Sequence, residues 1–512
     1  MADRVRKSLL NAKVNLLFYF LSLFFAFFSR DIFLRCLGAE FIGLTGTLGN
    51  ILGYLNLAEL GIGAAISYFL YKPLQSGDRE QINEVMAVFG YLYRRIGYFI
   101  LGAGVLLSCF FPLIFAKEEL GMGIIYFAFY SFLGSSLIGY FINYRQILLT
   151  ADQKNYLVAI YFQSAGLVKT ALQIFLAYYW RNFFVWVGVE FVFGILCCIV
   201  LNWKINQEYP WLKPSVGQGK ALLAKYPQIL TNTKQVFIHK IKDFLLSRSD
   251  EIMVYAFVSL KMVAYYGNYT MIITKLSLLF TSALDGVSAG VGNLVAEGDK
   301  RNMMKVFWEL MTIRHFVAGL MCFSLYFLME PFVSLWLGDQ YILDRTILVL
   351  LLVYLYINQS RGVVDMFNHA HGLYADTWSA WVELVLNVGV TLAVALHYGI
   401  IGILLGKIVS VTVIVIFWKP YYLFSQGLKL PIGVYWKGAV KYYLIFAVSF
   451  FCGSLVSGYV PITPSDSYLH WVLYALILVV AYLLVNLTLL YLFANGAKSC
   501  VTRIRGMFPF KR

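Results

Sequence analysis

Charged side chains are scarce in this sequence of 512 residues, where Asp, Glu, Lys and Arg together make up only 13%. Roughly a quarter of the residues of a soluble domain are charged. Proline is also rare, with 11 residues in the whole chain. The shortage of charge excludes a water-soluble enzyme, a coiled coil and a disordered protein, because each of these needs many more polar side chains.

The sequence also lacks the short motifs that hold nucleotides or metal ions. It contains no G-x-x-x-x-G-K-[ST] loop and no H-E-x-x-H pattern. Its cysteines lie mostly inside apolar stretches without metal-ligand spacing, and we interpret them as small packing residues. They are Cys36, Cys109, Cys197, Cys198, Cys322, Cys452 and Cys500. We therefore expect no catalytic residue, no metal and no bound cofactor, and we do not expect an enzyme.

Apolar residues dominate what is present: 60% of the chain is hydrophobic and 18% aromatic, and the mean hydropathy is +0.73. A helix needs roughly 17–25 apolar residues to cross a bilayer. Runs of this length predict an all-α polytopic membrane protein with about fourteen transmembrane helices, because barrel strands would alternate over about ten residues. The predicted spans are 14–35, 44–70, 86–113, 122–148, 155–178, 183–203, 237–259, 264–292, 304–330, 343–366, 376–397, 399–423, 437–459 and 469–493.

Positive charges collect in alternate connections between these spans. The N-terminus, the even-numbered connections and the C-terminal tail hold most of the Lys and Arg, whereas the other connections hold isolated cations such as Lys117 and Arg181. This asymmetry predicts that both termini are cytoplasmic. It also explains the net charge of +15, so we do not expect nucleic acid as a partner.

The second and eighth spans carry a repeated pattern of glycine, acid and Gly-Asp. Gly43 aligns with Gly267, Glu59 with Asp285, and "SGDRE" (76–80) with "EGDKR" (297–301). The copies are offset by six spans, which predicts two six-helix lobes in parallel orientation and a C-terminal helix pair. The predicted boundaries are an N-terminal lobe at 1–205, a cytoplasmic loop at 206–235, a C-terminal lobe at 236–425 and the extra helices with a basic tail at 426–512.

Ionisable residues inside the predicted spans are the candidate functional residues. A charge at the bilayer centre costs at least about 2.5–3.5 kcal/mol, so it normally faces a partner or a water-filled cavity. Cations near helix ends can extend to the interface instead; these are Arg94, Arg95, Arg145, Lys240, Lys242 and Arg361. The deeper cations are candidates for substrate binding: Arg30, Lys169, Arg248, Lys275, Arg314 and Lys407.

Fewer acids than cations lie at this depth, and some of the acids must be local partners of the cations. For Arg30, the partner is either Asp31 or a residue on a facing helix. Glu190 and Glu251 belong to this group of acids. The candidates for coupling to an ion are Asp31, Glu59, Asp250, Asp285 and Glu383.

The order of these motifs resembles the polysaccharide flippases, which transport O-antigen and other lipid-linked oligosaccharides. They belong to the multidrug/oligosaccharidyl-lipid/polysaccharide exporter superfamily. The similar positions are Arg30-Asp31, Leu37-Gly38 with Gly43, Glu59-Leu60-Gly61, the segment 248–269 and Gly298-Asp299. The resemblance covers about residues 10–425. Many of these flippases have twelve helices. A chain with about fourteen helices is closer to the lipid II branch.

This resemblance implies a V-shaped pair of lobes around a central cationic cavity. By position, Arg30 corresponds to the first-helix arginine of the family, and Arg248 and Lys275 to cations of the second lobe. The implied substrate is an undecaprenyl-pyrophosphate-linked sugar or oligosaccharide, moved by alternating access across a bacterial inner membrane for surface polysaccharide biosynthesis. A proton gradient, a sodium gradient or the membrane potential would drive the cycle.

We expect a monomer in the bilayer, with a glycan polymerase and glycosyltransferases as candidate partners. The alternative is a cation-coupled multidrug antiporter of the same superfamily, with its chemistry on acids such as Asp31, Glu59 and Asp285. A membrane-embedded glycan polymerase or ligase is disfavoured because the outside connections are shorter than roughly fifteen residues, too short for a catalytic loop.

Overall fold

The apolar runs fold as long α-helices. The computed structural model describes residues 2–507 apart from 60–61, 117, 119, 286–287 and 374–375, with some further side chains, including those of Arg248 and Asp285, outside the description. The chain divides into two compact units, Met1–Ala264 and Tyr265–Arg512. This boundary falls inside one helix, α12, and the lobe limits predicted from the sequence stay a prediction.

Eleven helices belong to the first unit, and the twelfth begins there. They are α1 Ala2–Leu37, α2 Ala39–Leu55, α3 Ile62–Ser76, α4 Arg79–Ser108, α5 Phe111–Ile114, α6 Met122–Phe141, α7 Gln146–Ala151, α8 Asn155–Trp180, α9 Phe183–Glu208, α10 Gly219–Lys225, α11 Gln228–Phe257 and α12 Leu260–Asp285. The helices of the second unit are α13 Ser288–Glu297, α14 Lys300–Leu337, α15 Arg345–Ser360, α16 Gly362–Ala370, α17 Thr377–Tyr398, α18 Ile400–Val411, α19 Lys419–Tyr422, α20 Ile432–Ser457, α21 Tyr468–Phe493 and α22 Ala497–Met507.

Each predicted span coincides with helical structure, so the all-α architecture is confirmed. Within the described part of the chain, ten helical segments are long and apolar enough to cross a membrane. The other four predicted spans lie on α2–α3, α4, α11 and α12–α13. Polar and charged residues lower the mean hydropathy of the longer helices, whereas α2 and α3 have only 17 and 15 residues. The count of fourteen is therefore approximate.

The predicted span 44–70 is wrong as a single helix. α2 ends at Leu55, a 3-10 turn covers Asn56–Glu59, and α3 begins at Ile62. Asn56 hydrogen-bonds through its backbone N–H to the last turn of α2. The local sequence favours such a break, because Asn56, Gly61 and Gly63 all lower helix propensity.

The repeated Gly-Asp pair forms the same helix-to-helix turn in both halves. Gly77 and Gly298 adopt positive φ angles of 72° and 76°, which glycine adopts without steric cost. Asp78 then accepts a hydrogen bond from the Gln81 backbone N–H at the start of α4. Asp299 does the same for α14. The sequence repeat therefore encodes a turn that ends one helix and caps the next.

Gly43 lets α2 approach the first turn of α12 closely. A Cβ built on Gly43 would lie 1.9 Å from the Leu260 carbonyl oxygen. We expect Gly43→Ala to destabilise the protein by about 1–3 kcal/mol, because a backbone must move to admit the methyl group. Thermal unfolding of the purified protein measures the effect. Gly49→Ala is the matched control, since no atom lies within 4 Å of its Cβ position on the same helix.

Candidate functional site

Arg30 and Asp31 have separate partners in the first unit. The Arg30 Nη2 donates a hydrogen bond of 3.0 Å to the Ala264 carbonyl on α12. Asp31 accepts a hydrogen bond of 2.6 Å from the Arg35 Nε, one turn further along α1. The facing helix thus accepts a hydrogen bond from Arg30, and Arg35 supplies a neutralising charge for Asp31.

Glu59 lies among tyrosines of the neighbouring helices. It hydrogen-bonds to Tyr93 on α4 and Tyr140 on α6. Tyr140 is 3% exposed, Glu59 itself is partly exposed, and we call these three side chains the Glu59 pocket. A carboxyl group placed between two hydroxyl groups can exchange a proton or bind a small cation, and Glu59 therefore stays a candidate for coupling.

Lys169 is paired with an acid on the adjacent helix. Its Nζ lies 2.5 Å from the Glu190 Oε1 on α9. Gln173, one turn further along α8, donates a hydrogen bond of 3.1 Å to the other carboxylate oxygen. The charge of Lys169 is therefore compensated inside the unit, which favours a structural role for this residue. Its role in substrate binding stays a prediction.

A double substitution separates these two roles of Lys169. We expect Lys169→Met to cost about 1.5–3 kcal/mol of stability, since it leaves the Glu190 carboxylate without its charged donor. Lys169→Met combined with Glu190→Gln restores both stability and transport if the pair is structural. Thermal unfolding and complementation measure the two effects. An inactive but stable double variant would assign Lys169 to substrate binding.

The charged segment of α11 contacts α2. The Asn50 Nδ2 donates a hydrogen bond of 2.6 Å to the Glu251 Oε2, and Asn50 is 8% exposed. Gly46 leaves room for this carboxylate, since a Cβ there would lie 3.1 Å from the same oxygen. Asp250 lies on the same turn of α11, whereas the side chain of Arg248 is outside the described residues.

In the second unit, three predicted residues lie buried in the same region. Arg314, Glu383 and Lys407 are 5%, 4% and 6% exposed. The Arg314 guanidinium packs against Gly362 at the start of α16, where a built Cβ would lie 2.8 Å from its Cζ. Glycine at 362 therefore accommodates the guanidinium, which a larger side chain would displace.

Arg361 directly precedes that glycine in the chain, and its side chain and that of Asp365 are each 26% exposed. Its Nε donates a hydrogen bond of 2.7 Å to the Asp365 Oδ2. Arg361 also interacts electrostatically with Glu383. The Lys407 Nζ lies 4.4 Å from the centre of the Tyr354 ring. We call Arg314, Tyr354, Arg361, Asp365, Glu383 and Lys407 the buried charge cluster.

The buried charge cluster contains three cations and two carboxylates, so its charges nearly balance. Low-dielectric surroundings make such a network strong when every member is paired. From the sequence, Arg314, Glu383 and Lys407 are predicted as functional residues, whereas Arg361 is interpreted as a cation whose side chain extends to the membrane interface. The i,i+4 spacing of Arg361 and Asp365 was the available signal, since residues at this spacing are neighbours on a helix.

The remaining candidates lie on α12. Lys275 is on this helix within the second unit and its side chain is partly exposed. Asp285 is the last residue of α12, and its side chain lies outside the described residues. The structure therefore brings the predicted cations into several local groups, each with its own surroundings.

An apolar groove of about 910 Å³ opens between helices of the second unit. It is lined by α14, α15, α18 with the π-helical turns that follow it, and α20, the first helix of the C-terminal pair. Its residues include Tyr326, Val353, Tyr356, Phe446, Ala447 and Ser454. Sequence patterns do not predict this groove, because it depends on how four helices pack.

Solved structures share this fold, whereas no protein-family model and no curated protein matches the chain. Lipid II flippase MurJ in an inward closed conformation matches with a TM-score of 0.64 and 15% identity, over 95% of this chain and 98% of that one. An inward-facing multidrug resistance MATE family transporter of the MOP superfamily matches with a TM-score of 0.55 and 16% identity, over 80% and 95%.

A mutant of the Vibrio cholerae MATE transporter VcmN matches with a TM-score of 0.50 and 14% identity, over 84% of this chain and 99% of that one. At sequence identities this low, the structural similarity shows a shared fold and does not show a shared substrate. Together with the long apolar helices, these matches establish a multi-pass membrane protein with the fold of MurJ and the MATE transporters.

Proposed function

We propose that this chain is a flippase for an undecaprenyl-pyrophosphate-linked sugar or oligosaccharide. It would move the headgroup from the cytoplasmic to the periplasmic leaflet of a bacterial inner membrane, by alternating access, for O-antigen or another surface polysaccharide. The observation that carries this proposal is the apolar groove along α20, because a lipid-linked substrate needs a place for its chain beside the path of its headgroup.

The lining of the groove fits an isoprenoid chain. Aliphatic and aromatic side chains from four membrane helices form it, and Ser454 and Thr412 are among its few polar residues. Between a membrane helix and a prenyl chain, attraction comes from close packing, since lipid tails are as apolar as the side chains. The match to MurJ covers 95% of this chain, compared with 80% and 84% for the two MATE proteins, which supports the lipid-linked branch.

The deep cations suit the pyrophosphate. A pyrophosphate-sugar headgroup would lose its hydration in hydrocarbon at a cost far above thermal energy. Charge-assisted hydrogen bonds from Arg30, Arg248 and Lys275 would replace that water. Each charge moved through the membrane potential is worth about 2.3 kcal/mol per 100 mV, so the potential, or a proton or sodium gradient, can drive the cycle.

The Glu59 pocket favours the second candidate function, a cation-coupled multidrug antiporter. A carboxyl group hydrogen-bonded by Tyr93 and Tyr140 is a suitable site for a coupling proton. The two functions differ in the sign of the substrate's charge, because cationic drugs need acidic residues deep in the membrane and a pyrophosphate needs basic ones.

Deletion of the gene distinguishes the two candidates. If the protein is this flippase, we expect undecaprenyl-pyrophosphate-glycan to accumulate on the cytoplasmic leaflet of the deletion strain and its surface polysaccharide to disappear. Its drug susceptibility should stay nearly unchanged. A plasmid copy of the wild-type gene restores the surface glycan as the control. An intact surface glycan together with greater sensitivity to cationic dyes would favour the antiporter.

A further inference from the structure

A second cationic feature lies in the first unit, apart from the deep cations. It is an open cavity of about 440 Å³ between α4, the segment after α6 and the chain that follows α9. We call it the loop pocket. Its lining residues are Arg94, Tyr144, Arg145, Leu212, Lys213, Pro214, Val216 and Gly217. A water molecule occupies about 30 Å³ in the liquid, so the cavity has room for a hydrated ion or a small headgroup.

The charges of the loop pocket have one sign. Arg94, Arg145 and Lys213 line it together, and no carboxylate does. Within the described part of the chain, none of these three cations forms a salt bridge. The neighbouring lysines differ, because Lys154 pairs with Glu208 at 3.2 Å and Lys225 pairs with Glu84 at 2.7 Å.

Arg145 retains hydrogen-bonding capacity. Its Nη2 donates a hydrogen bond of 3.0 Å to the Leu212 carbonyl. Its Nε is buried and has no hydrogen-bond partner among the described residues. A guanidinium carries five N–H donors, so one backbone carbonyl satisfies only part of this side chain.

The chain around the loop pocket is held in place by contacts to helices. The Lys213 backbone N–H donates a hydrogen bond of 2.7 Å to the Asn83 Oδ1 on α4. The Tyr209 hydroxyl donates one of 2.7 Å to the Asp152 Oδ2. Gly90 on α4 leaves space for Val216, whose Cγ2 would lie 2.8 Å from an added Cβ.

A further attachment follows the pocket in sequence, where Glu84 on α4 binds Lys225 and Tyr226. The hydrogen bonds from the Lys225 ammonium and the Tyr226 hydroxyl hold the pKa of the Glu84 carboxyl below its usual value. The pocket is therefore preorganised, and a ligand would not have to order the loop itself.

We propose that the loop pocket binds a phosphate group, either a free phosphate ion or the headgroup of an anionic lipid. Two planar guanidinium groups and one ammonium match the several acceptor oxygens of a phosphate. Arg145 lies four residues beyond the end of α6 at Phe141, near the end of a membrane span. On the side predicted to be cytoplasmic, an anionic lipid surface attracts basic residues at this level.

Ligand-dependent thermal stabilisation of the full-length protein tests the proposal. One arm adds inorganic phosphate to protein in neutral detergent, against chloride at matched ionic strength. The other arm compares nanodiscs of phosphatidylcholine with nanodiscs that also contain phosphatidylglycerol. We expect stabilisation in at least one arm, and the arm in which it occurs identifies the source of the phosphate group.

Variants locate the effect. Arg145→Gln and Lys213→Gln should each weaken phosphate binding about tenfold or more, since a charge-assisted hydrogen bond is lost. Arg95→Gln is the matched control, because Arg95 lies 5.2 Å over the Tyr91 ring and does not line the pocket. If Arg145→Gln fails to fold because the Leu212 carbonyl loses its donor, Lys213→Gln alone tests the proposal, since Lys213 is exposed.

Stabilisation that disappears in Lys213→Gln and persists in Arg95→Gln supports the proposal. No stabilisation by phosphate or by phosphatidylglycerol overturns it, and so does an equal loss in Arg95→Gln. No step of this experiment measures flipping. A negative result would therefore not contradict the proposed transport function, and loss of the proposed transport function would not contradict phosphate binding in the loop pocket.

Discussion

Arg30→Glu is expected to abolish complementation of a strain that lacks the transporter, at a normal protein level. The substitution places a negative charge where the proposed site needs a positive one, and it removes the hydrogen bond from Arg30 to the Ala264 carbonyl. Arg30→Ala should retain a small residual activity, and Arg30→Lys should retain most. This order follows because the pyrophosphate needs charge first and bidentate geometry second. Surface polysaccharide, measured beside the protein level, reports the activity.

Arg35→Glu is the matched control for Arg30. Arg35 lies on the same helix and its side chain is 67% exposed, paired with Asp31 at 2.6 Å. An exposed pair of this kind contributes about 0.2–1 kcal/mol, so Arg35→Glu should leave the surface glycan near its wild-type amount. Wild-type activity in Arg30→Glu would exclude Arg30 from the substrate site.

Bulky residues in the apolar groove are expected to reduce flipping about tenfold or more without loss of protein. Ala447 and Ser454 line the groove and lie seven residues apart on α20, on the same face of the helix. Replacement of both by Trp fills space that the proposal assigns to the prenyl chain. Because many contacts of about 0.1–0.2 kcal/mol each hold an apolar chain, blocking part of the groove removes a large share of the binding energy.

Leu444→Trp is the control for the groove substitutions. Leu444 lies on the same helix, is 60% exposed and does not line the groove. The assay is the amount of surface polysaccharide in complemented cells, normalised to the protein level. If the double Trp variant flips as well as Leu444→Trp does, the prenyl chain takes another path.

The architecture could be predicted from the sequence because hydrophobic length alone identifies membrane helices. The Gly-Asp turns at 77–78 and 298–299 were visible as a repeat, since a glycine with positive φ and a capping Asp are both local signals. The break between α2 and α3 was missed because the residues around Asn56 are apolar enough to resemble a continuous span. The low helix propensity of Asn56, Gly61 and Gly63 is the local signal for the break.

The surroundings of the candidate residues were less predictable, because they depend on tertiary contacts. Lys169 and Glu190 are 21 residues apart on adjacent helices, and only their packing brings the two charges to 2.5 Å. The buried charge cluster takes side chains from α14, α15, α16, α17 and α18. A sequence shows that such charges exist, whereas helix packing decides which of them meet.

Translocation by the purified protein in liposomes is a direct test of whether it flips a lipid-linked glycan. The liposomes carry a labelled undecaprenyl-pyrophosphate-linked oligosaccharide, and a glycosidase that cannot cross the bilayer is added outside. With the wild-type protein, we expect glycan from the inner leaflet to become accessible to the enzyme, whereas liposomes with Arg30→Glu protect it. Equal protection in both, with uptake of a cationic dye by the wild-type protein alone, would contradict the account.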